Sequence, residues 1–391
     1  MINVYVKYCE NYENIQEQVN YLLNSVLDNG KVIKENMVVF LKTNALSPHP
    51  SSRAITTHPS VVKAAIRYFK KYNVRIIVGD NPATKEMTTV YKVNGTLDVV
   101  NEEKVELANN KNLKVISAKE YKKYKDFNVS KQIVEADILV NIPKLKTHGL
   151  AYFTGAQKNL FGTIYGLEKA QWHVKSSSPL EFGEAMSDLY SAIKNEMKDK
   201  IMVNLMDGIE GLEGEGPSTG GVKKEANVLL ASKDAIALDR VAMEIVKLDY
   251  NKSFINVISS NRGLGEFNLE NINIVGDSLE IFKDIKFMPA KIEEIGIRAI
   301  KLLNKYNVKN FVLEHPKFDK SKCVKCGECK KICPPQAINM EKGKVPNVNK
   351  NKCIRCWCCQ EVCPVNAINK SKRPLIGRLF FKRWLVWIKK K

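Results

Sequence analysis

The chain of 391 residues carries 62 Lys and Arg against 42 Asp and Glu, a net charge of +20, with 44% hydrophobic residues. At about 150 residues per domain this length allows two or three domains, and the hydrophobic share suffices for packed cores. Residues 321–391 hold 18 Lys and Arg against 3 Asp and Glu, so +15 of the charge lies there and only +5 in the first 320 residues. No helix-turn-helix, zinc-finger or RNA-binding signature accompanies that basicity, so nucleic acid is set aside. An acidic redox protein or an anionic membrane surface is the better partner.

The first residues, Met1-Ile2-Asn3-Val4-Tyr5-Val6-Lys7, lack the basic and apolar regions of a secretory leader, which predicts a cytoplasmic protein. From there to about Val312, short β-branched runs alternate with amphipathic stretches. That is the pattern of an α/β fold, a layered sheet with helices on both faces. Strands are predicted at Ile2 to Tyr8, Met37 to Leu41, Val74 to Val78, Leu113 to Ile116, Asp137 to Ile142, Ile201 to Met206, Val228 to Ala231 and Ile272 to Val275. Several are almost wholly apolar, as strands covered on both faces are. Ile15, Val19, Leu22 and Val26 recur at helical spacing, as do Val62, Ala65, Ile66 and Phe69, and both stripes read as core.

Polar clusters follow the strands, where open α/β sheets place their ligands. Lys42-Thr43-Asn44 and Thr56-Thr57-His58-Pro59 follow the second strand, Gly79-Asp80-Asn81-Pro82 the third, and Pro143-Lys144-Leu145-Lys146-Thr147-His148 the fifth. Thr154 through Gly162 comes next, and Asp207-Gly208 leads into a loop with Gly214, Gly216, Gly220 and Gly221. That loop lacks the Lys-Ser or Lys-Thr of a P-loop, and no dinucleotide fingerprint follows the first strand. Lys42, Lys144, Lys146 and Lys158, with Asn44 and Asn159 as further donors, would suit a carboxylate or phosphate ligand at one mouth of the sheet. Lys146 and His148 are the candidate catalytic pair, His148 as proton donor or metal ligand. Asp80, Asp207 and Asp239 are candidate carboxylate partners, although Asp207 and Asp234 also read as turn or cap residues. Cys9, at the end of the first strand, reads as a buried apolar side chain.

Taken together, Leu41-Lys42-Thr43-Asn44, Thr57-His58-Pro59, Gly79-Asp80, Pro143-Lys144-x-Lys146-Thr147-His148, Lys158-Asn159-Leu160-Phe161-Gly162, Gly214-x-Gly216-Pro217 and Asp234-x-x-Ala237-x-Asp239 resemble domain-of-unknown-function family 362 over most of residues 35 to 250. The resemblance implies an α/β domain partnered with iron-sulfur clusters, and it brings no settled substrate.

A linker at Glu314-His315-Pro316-Lys317 precedes two copies of Cys-x-x-Cys-x-x-Cys-x-x-x-Cys-Pro. They are Cys323, Cys326, Cys329 and Cys333 with Pro334, then Cys353, Cys356, Cys359 and Cys363 with Pro364. Lys322 through Asn339 realigns with Lys352 through Asn369 at a constant offset, the mark of an internal duplication. Three thiolates two residues apart wrap one face of a cubane cluster, and in two-cluster ferredoxins the fourth comes from the opposite motif. Cys323, Cys326, Cys329 and Cys363 would then hold one [4Fe-4S] cluster, and Cys353, Cys356, Cys359 and Cys333 the second. Zinc prefers four ligands in two separated pairs, and nine of ten cysteines confined to the last quarter is not a disulfide framework. Cys358 is not required by the spacing; it would neighbour a cluster or offer a modifiable thiol, and Trp357 would shield a cluster from water.

The domains are therefore expected at 1–312 (α/β), 313–370 (a small α+β ferredoxin-like domain with two [4Fe-4S] clusters) and 371–391 (a basic tail). From Leu375 to Ile388 the tail is apolar, Trp-containing and interrupted by Arg378, Lys382 and Arg383, too short to span a bilayer. It reads as a helix lying at the inner face of a membrane, or as one docked on protein. The function expected is ferredoxin-type electron transfer coupled to an α/β domain that binds an anionic small molecule. The alternatives are a ferredoxin-dependent reductase of a carboxylate or phosphate compound, and a carrier of clusters or metal.

Overall fold

The structure is a computed structural model that describes residues 1–176, 178–290 and 308–379. Every strand foreseen in the large domain forms, seven of the eight within a residue of the expected start, whereas the one expected from Val228 begins seven residues earlier, at Gly221. They are β1 Ile2–Tyr8, β2 Val38–Lys42, β3 Arg75–Gly79, β5 Leu113–Ser117, β7 Ile138–Asn141, β10 Ile201–Gly214, β11 Gly221–Ser232 and β12 Ile272–Gly276. Four short strands join them: β4 Glu106–Leu107, β6 Asp126–Ser130, β8 Lys144–His148 and β9 Tyr152–Thr154.

Ten strands make one mixed sheet, in the order β12-β1-β11-β10-β7-β2-β3-β4, with β8 paired to β10 and β9. β7, β2 and β3 run parallel to one another and to β10. Their C-terminal ends therefore deliver Lys42, Gly79 and Asn141 to one edge. Alternation along the strands separates two cores: Val39, Leu41, Ile138, Val140, Val203 and Leu205 face one way, and Phe40, Leu139, Met206, Val228 and Leu230 the other. The first face is covered by helices Gln16–Val26 and Pro59–Phe69, which bury the two stripes read from the sequence. The second is covered by Pro179–Glu196, Ala235–Ile245 and Phe254–Asn261. The chain is an α/β layered fold with helices on both faces.

Three expectations need correction. Leu113–Ser117 leaves the large sheet and pairs only with β6. The polar run after the fifth strand, expected as a ligand-facing cluster, is itself strand β8, Lys144–His148, and all five of its residues are buried. Asp207 lies inside β10 rather than in a turn, whereas Asp234 does cap its helix, accepting from Ile236 N and Ala237 N at 2.8 and 3.1 Å.

The small module repeats its own hydrogen bonds. Asp319 N donates to Ala367 O at 2.7 Å and Asn349 N donates to Ala337 O at 2.7 Å, so each half is tied to the other by the same bond. β13 Pro316–Phe318 pairs with β16 Ile368–Lys370, and β14 Ile338–Asn339 with β15 Asn347–Val348. Helix Lys309–Val312, expected in the α/β domain, meets this module instead, with Asn310 Oδ1 accepting from Arg355 Nη2 at 2.6 Å. The tail begins by docking on the linker through His315 N, which donates to Ser371 Oγ at 3.0 Å. The remainder of the expected tail helix, from residue 380 on, lies outside the described residues. Among the described residues no helix is long and apolar enough to cross a membrane.

Candidate functional site

The thiols sort into two sets across the duplicated halves. Cys323, Cys326, Cys329 and Cys363 line one cavity with Phe318, Ala367 and Ile368. Burial first, then the neighbouring Cys326, Cys363 and Cys323, push the Cys329 thiol up to about 12. The Cys333 thiol is pushed up by burial and by Cys356 and Cys353. Two backbone amides prepare sulfur to carry charge: Ala337 N donates to Cys333 Sγ and Ala367 N to Cys363 Sγ, both at 3.2 Å. Among the described residues no three His, Cys, Asp or Glu side chains close on a single metal ion. A ring of thiols around a cavity, with amide donors behind them, suits a multi-iron cluster.

The module docks on the edge of the large sheet where the strand-end clusters meet. The tip of the β10–β11 hairpin holds it: Thr219 Oγ1 donates to Cys363 O at 2.9 Å, and Lys370 pairs with Glu215 at 3.0 Å. The Gly-rich loop thus serves a docking role. On another side Lys85 pairs with the buried Glu328 at 2.9 Å. Between these contacts lies a partly open cavity of about 90 Å³. The α/β body supplies Asn44, Asp80, Asn81, Lys146, His148, Thr154, Lys158, Asn159, Lys169 and His173 to its wall, and the module supplies Ile332, Cys358 and Glu361. None of the eight motif cysteines lines it, so it is distinct from the thiol cavity. A wider cleft of about 740 Å³ adjoins it, sharing Asp80, Asn81, Pro82 and Ala83.

The four predicted lysines divide. Lys42 is fully buried with its ammonium on Asp80 at 3.0 Å, and Lys144 is fully buried on Asp207 at 2.9 Å and on the Tyr12 hydroxyl at 2.6 Å. Neither lines the cavity; they are internal ion pairs that brace the strand ends, not free anion donors as expected. Lys146 and Lys158 do line it. Lys146 Nζ donates to Asn44 Oδ1 at 2.6 Å and to Ile55 O at 2.8 Å, both neutral acceptors. Burial first, then Lys158 and Lys144, lower its pKa to about 7. The Lys158 ammonium stands 4.8 Å from the Phe161 ring centre and 5.6 Å from that of Phe182, and burial lowers its pKa as well.

Asparagines place these groups. Asn204 donates to Ser232 O, Asn141 donates to Asn204 and Asn159 donates to Asn141, while Asn44 donates to Asn159 at 2.9 Å and accepts from Lys146. Asn44 and Asn159 are therefore wall residues that also orient Lys146. Helix Ala156–Asn159 is anchored at its start by the buried Asp239 carboxylate, which accepts from Ala156 N and Gln157 N. Burial raises that carboxyl to about 7. A side chain at Gly155 would strike Asp239 Oδ1 at 2.0 Å, so glycine permits this anchor.

His148 is 2% exposed, and its Nδ1 accepts from Leu150 N and Ala151 N at 3.0 and 3.3 Å. Burial, with Lys158, His173 and Lys146 adding to it, holds the ring neutral. Its one proton therefore sits on Nε2, 3.6 Å from Glu361 Oε1 of the module. The Glu361 carboxyl is pushed up to about 7 by burial, against the pull of Lys158 and Lys146. This neutral imidazole and poised carboxyl bridge the body and the module.

Sequence reasoning missed Lys169, His173 and Glu361. Helix Glu168–Lys175, which carries Lys169 and His173, follows no strand end and shows no motif. Glu361 lies between the motif cysteines Cys359 and Cys363, and only the docked module turns it toward the sheet. Cys358 is 4% exposed and lines the cavity, and Trp357 lines a separate small pocket with Glu215 and Gly216.

An α/β body, one sheet between two helical layers, with a thiol-rich duplicated module docked at its strand ends, defines an iron-sulfur protein of two parts. Residues 39–244 match the family described as Domain of unknown function (DUF362), and residues 317–370 match the 4Fe-4S dicluster domain. The chain belongs to the DUF362 family and carries a 4Fe-4S dicluster domain. It is 31% identical over 221 residues to a thylakoid-associated protein of Synechocystis sp. (strain ATCC 27184 / PCC 6803 / Kazusa), an alignment covering 56% of this chain and 66% of that one, just under two thirds of the relative's length. The lactate racemase apoprotein from Thermoanaerobacterium thermosaccharolyticum resembles 63% of this chain over 58% of its own, at a TM-score of 0.39 and 16% identity. A structural-genomics protein from Thermotoga maritima resembles 65% of this chain over 60% of its own, at a TM-score of 0.39 and 12% identity. Likenesses this distant say nothing of activity.

Proposed function

We propose that this protein transfers electrons through two [4Fe-4S] clusters, one held by Cys323, Cys326, Cys329 and Cys363 and the other by Cys353, Cys356, Cys359 and Cys333, to or from an anionic small molecule in the cavity between body and module. The clusters, when bound, supply one-electron steps. The observation that carries the reading is the shared wall: Ile332, Cys358 and Glu361 come from the helices that present Cys329 and Cys359, and they share the cavity with Lys146, His148 and Lys158. The body binds and orients, the Lys42 and Lys144 ion pairs keep the strand ends rigid, and His148 Nε2–H with Glu361 offers a proton at the bridge. Burial of wall residues such as Lys146 and His148 lowers the local dielectric and strengthens each charge in the cavity.

Cys326 is exposed, and so are Lys322, Lys325 and Lys330 around it, so an acidic redox protein is the partner at the outer end. Leu375, Ile376 and Leu379 at the start of the tail are 68%, 59% and 58% exposed, which favours attachment of that end to an anionic membrane surface on the cytoplasmic side. Because His148 directs its proton into the cavity, a ferredoxin-dependent reductase of a carboxylate or phosphate compound is the second reading.

Two variants test the proposal in anaerobic protein. Cys326→Ser should remove half of the iron and one of two reducible electron-spin signals while the body stays folded; an intact two-cluster signal would refute the ligand sets. His148→Phe should change the spectrum of the second cluster alone, and identical spectra for both clusters would sever the cavity from the electron path.

A further inference from the structure

Within that reading, the least explained feature of the cavity is its charge. Lys146, Lys158 and Lys169 line it, and Glu361 is the one carboxylate on its wall that is not already held by an internal lysine. Among the described residues Lys158 makes no hydrogen bond or ion pair, and its ammonium rests only over Phe161 and Phe182. Lys146 finds neutral oxygens, and Lys169 Nζ finds a backbone carbonyl, that of Asn81. Ammonium groups in such surroundings are costly without a counter-ion. Three further polar atoms of wall residues are buried without a partner: Thr154 Oγ1 and His173 Nδ1, in residues 4% and 6% exposed, and Asn81 Oδ1, in a residue 3% exposed. The first two can donate to an oxygen, whereas Asn81 Oδ1 only accepts and serves a protonated edge of the ligand or a water.

Volume narrows the class. An apolar cavity of about 150 Å³ accepts benzene, with its six carbons, so 90 Å³ holds about four heavy atoms. That is the size of acetate, carbonate or a terminal carboxylate. A nucleotide, a sugar phosphate or a peptide exceeds it. The adjoining cleft of about 740 Å³ can admit the remainder of a longer molecule past Pro82 and Ala83.

We propose that the inner cavity is the seat of a single compact carboxylate, or an oxyanion of the same size, held by Lys146, Lys158 and Lys169 with the Thr154 hydroxyl as a further donor. Lys169 is a binding residue on this account, and Lys42 and Lys144 are not. The carboxylate arrives either as a free small acid or as the end of a longer molecule lying in the cleft, and its recognition is the same in both cases.

The test is anaerobic calorimetry on the full, cluster-loaded chain, with acetate and octanoate as probes and the clusters kept oxidised. One acetate should bind per chain, and Lys158→Met and Lys169→Met should each weaken it by about tenfold or more, in line with a lost charge-assisted contact. Lys198→Met, which removes an equal charge from an exposed position 71% open to solvent, should leave affinity unchanged. Thr154→Val guards against misfolding of the lysine variants and should weaken acetate while preserving the cluster absorbance. Octanoate binding much tighter than acetate assigns the carboxylate to a longer molecule, and equal affinities assign it to a free acid; both outcomes support the seat. Absence of binding, or equal affinity in wild type, Lys158→Met and Lys169→Met, overturns it. Since binding is read without turnover, such a failure leaves the electron-transfer reading standing, while retained binding without the spectral coupling of His148→Phe does the reverse.

Discussion

Lys146 shows at the level of one side chain what an unbalanced cavity costs. An ammonium whose pKa falls from its ordinary value to about 7 on folding binds fewer protons in the native state than in the unfolded chain between roughly pH 7 and 10.5. Stability therefore rises with pH across that window and is flat with respect to this group below it. The groups that set the shift after burial are Lys158 and Lys144, which lower it, and Asp80 and Glu361, which oppose. Asp239 acts in the opposite sense: its carboxyl, raised to about 7, favours folding below the ordinary aspartate range and loses that contribution as pH climbs to 7. In anion-free urea denaturation, the stability of wild type minus that of Lys146→Met should grow by on the order of 2–4 kcal/mol from pH 7 to 10. A pH-independent difference would mean that Lys146 keeps an ordinary ammonium and already has a counter-charge. The lysines also mark the limit of reading side chains from sequence. Lys42, Lys144 and Lys146 stand in similar polar runs after strands, but which of them meets an aspartate depends on where Asp80 and Asp207 land in space. The cysteine motifs were legible because their chemistry is local, four residues along one short stretch, repeated.

Between side chain and whole stands the β10–β11 hairpin, the element that joins the two domains. Its first half was legible as Ile201 to Met206, a β-branched and apolar run, but its outer half is polar and Gly-rich and read as a loop. The extension is held by cross-strand pairing, Glu210 with Glu225 through Gly214 with Gly221, and no local preference announces it. β8 was missed for a related reason: in Lys144–His148 the buried residues include two lysines and a histidine, so hydrophobic periodicity is silent. At the hairpin tip Gly216 lies against the end of β8, where an added Cβ would stand 2.2 Å from Thr147 O, a backbone atom that cannot swing aside. Its carbonyl meanwhile accepts from Gly149 N at 3.0 Å. Gly216→Ala should therefore cost about 1–3 kcal/mol as overpacking does, and the strain should be spent by lifting the tip off the module. Hydrogen exchange would then quicken in residues 145–150 and 357–363 while residues 39–42 keep their protection. Uniform exchange in all three segments would place the hinge elsewhere.

For the molecule as a whole, the charge is divided in a way that suits its division of labour. The first 320 residues carry only +5, with Lys42 and Lys144 held in buried ion pairs, whereas residues 321–391 carry +15. The outer thiol cavity opens among Lys322, Lys325 and Lys330, and the inner wall of the same module closes on the body, so the two ends of the module face different company. A basic exposed end raises the encounter rate with an acidic partner and orients it, an effect carried over roughly one Debye length, about 10 Å at 0.1 M salt. Reduction of the cluster-loaded protein by an acidic ferredoxin should accordingly slow as ionic strength rises. Lys325→Glu should lower the second-order rate constant by about tenfold at low salt and much less at high salt, because the substitution reverses a charge that acts only when unscreened. Stopped-flow bleaching of the cluster absorbance measures both. The cavity should not feel this change, since acetate affinity depends on lysines enclosed between body and module. A rate indifferent to salt and to Lys325→Glu would require electrons to arrive by another surface, and the exposed end of the tail at Leu375 and Ile376 is the next to examine.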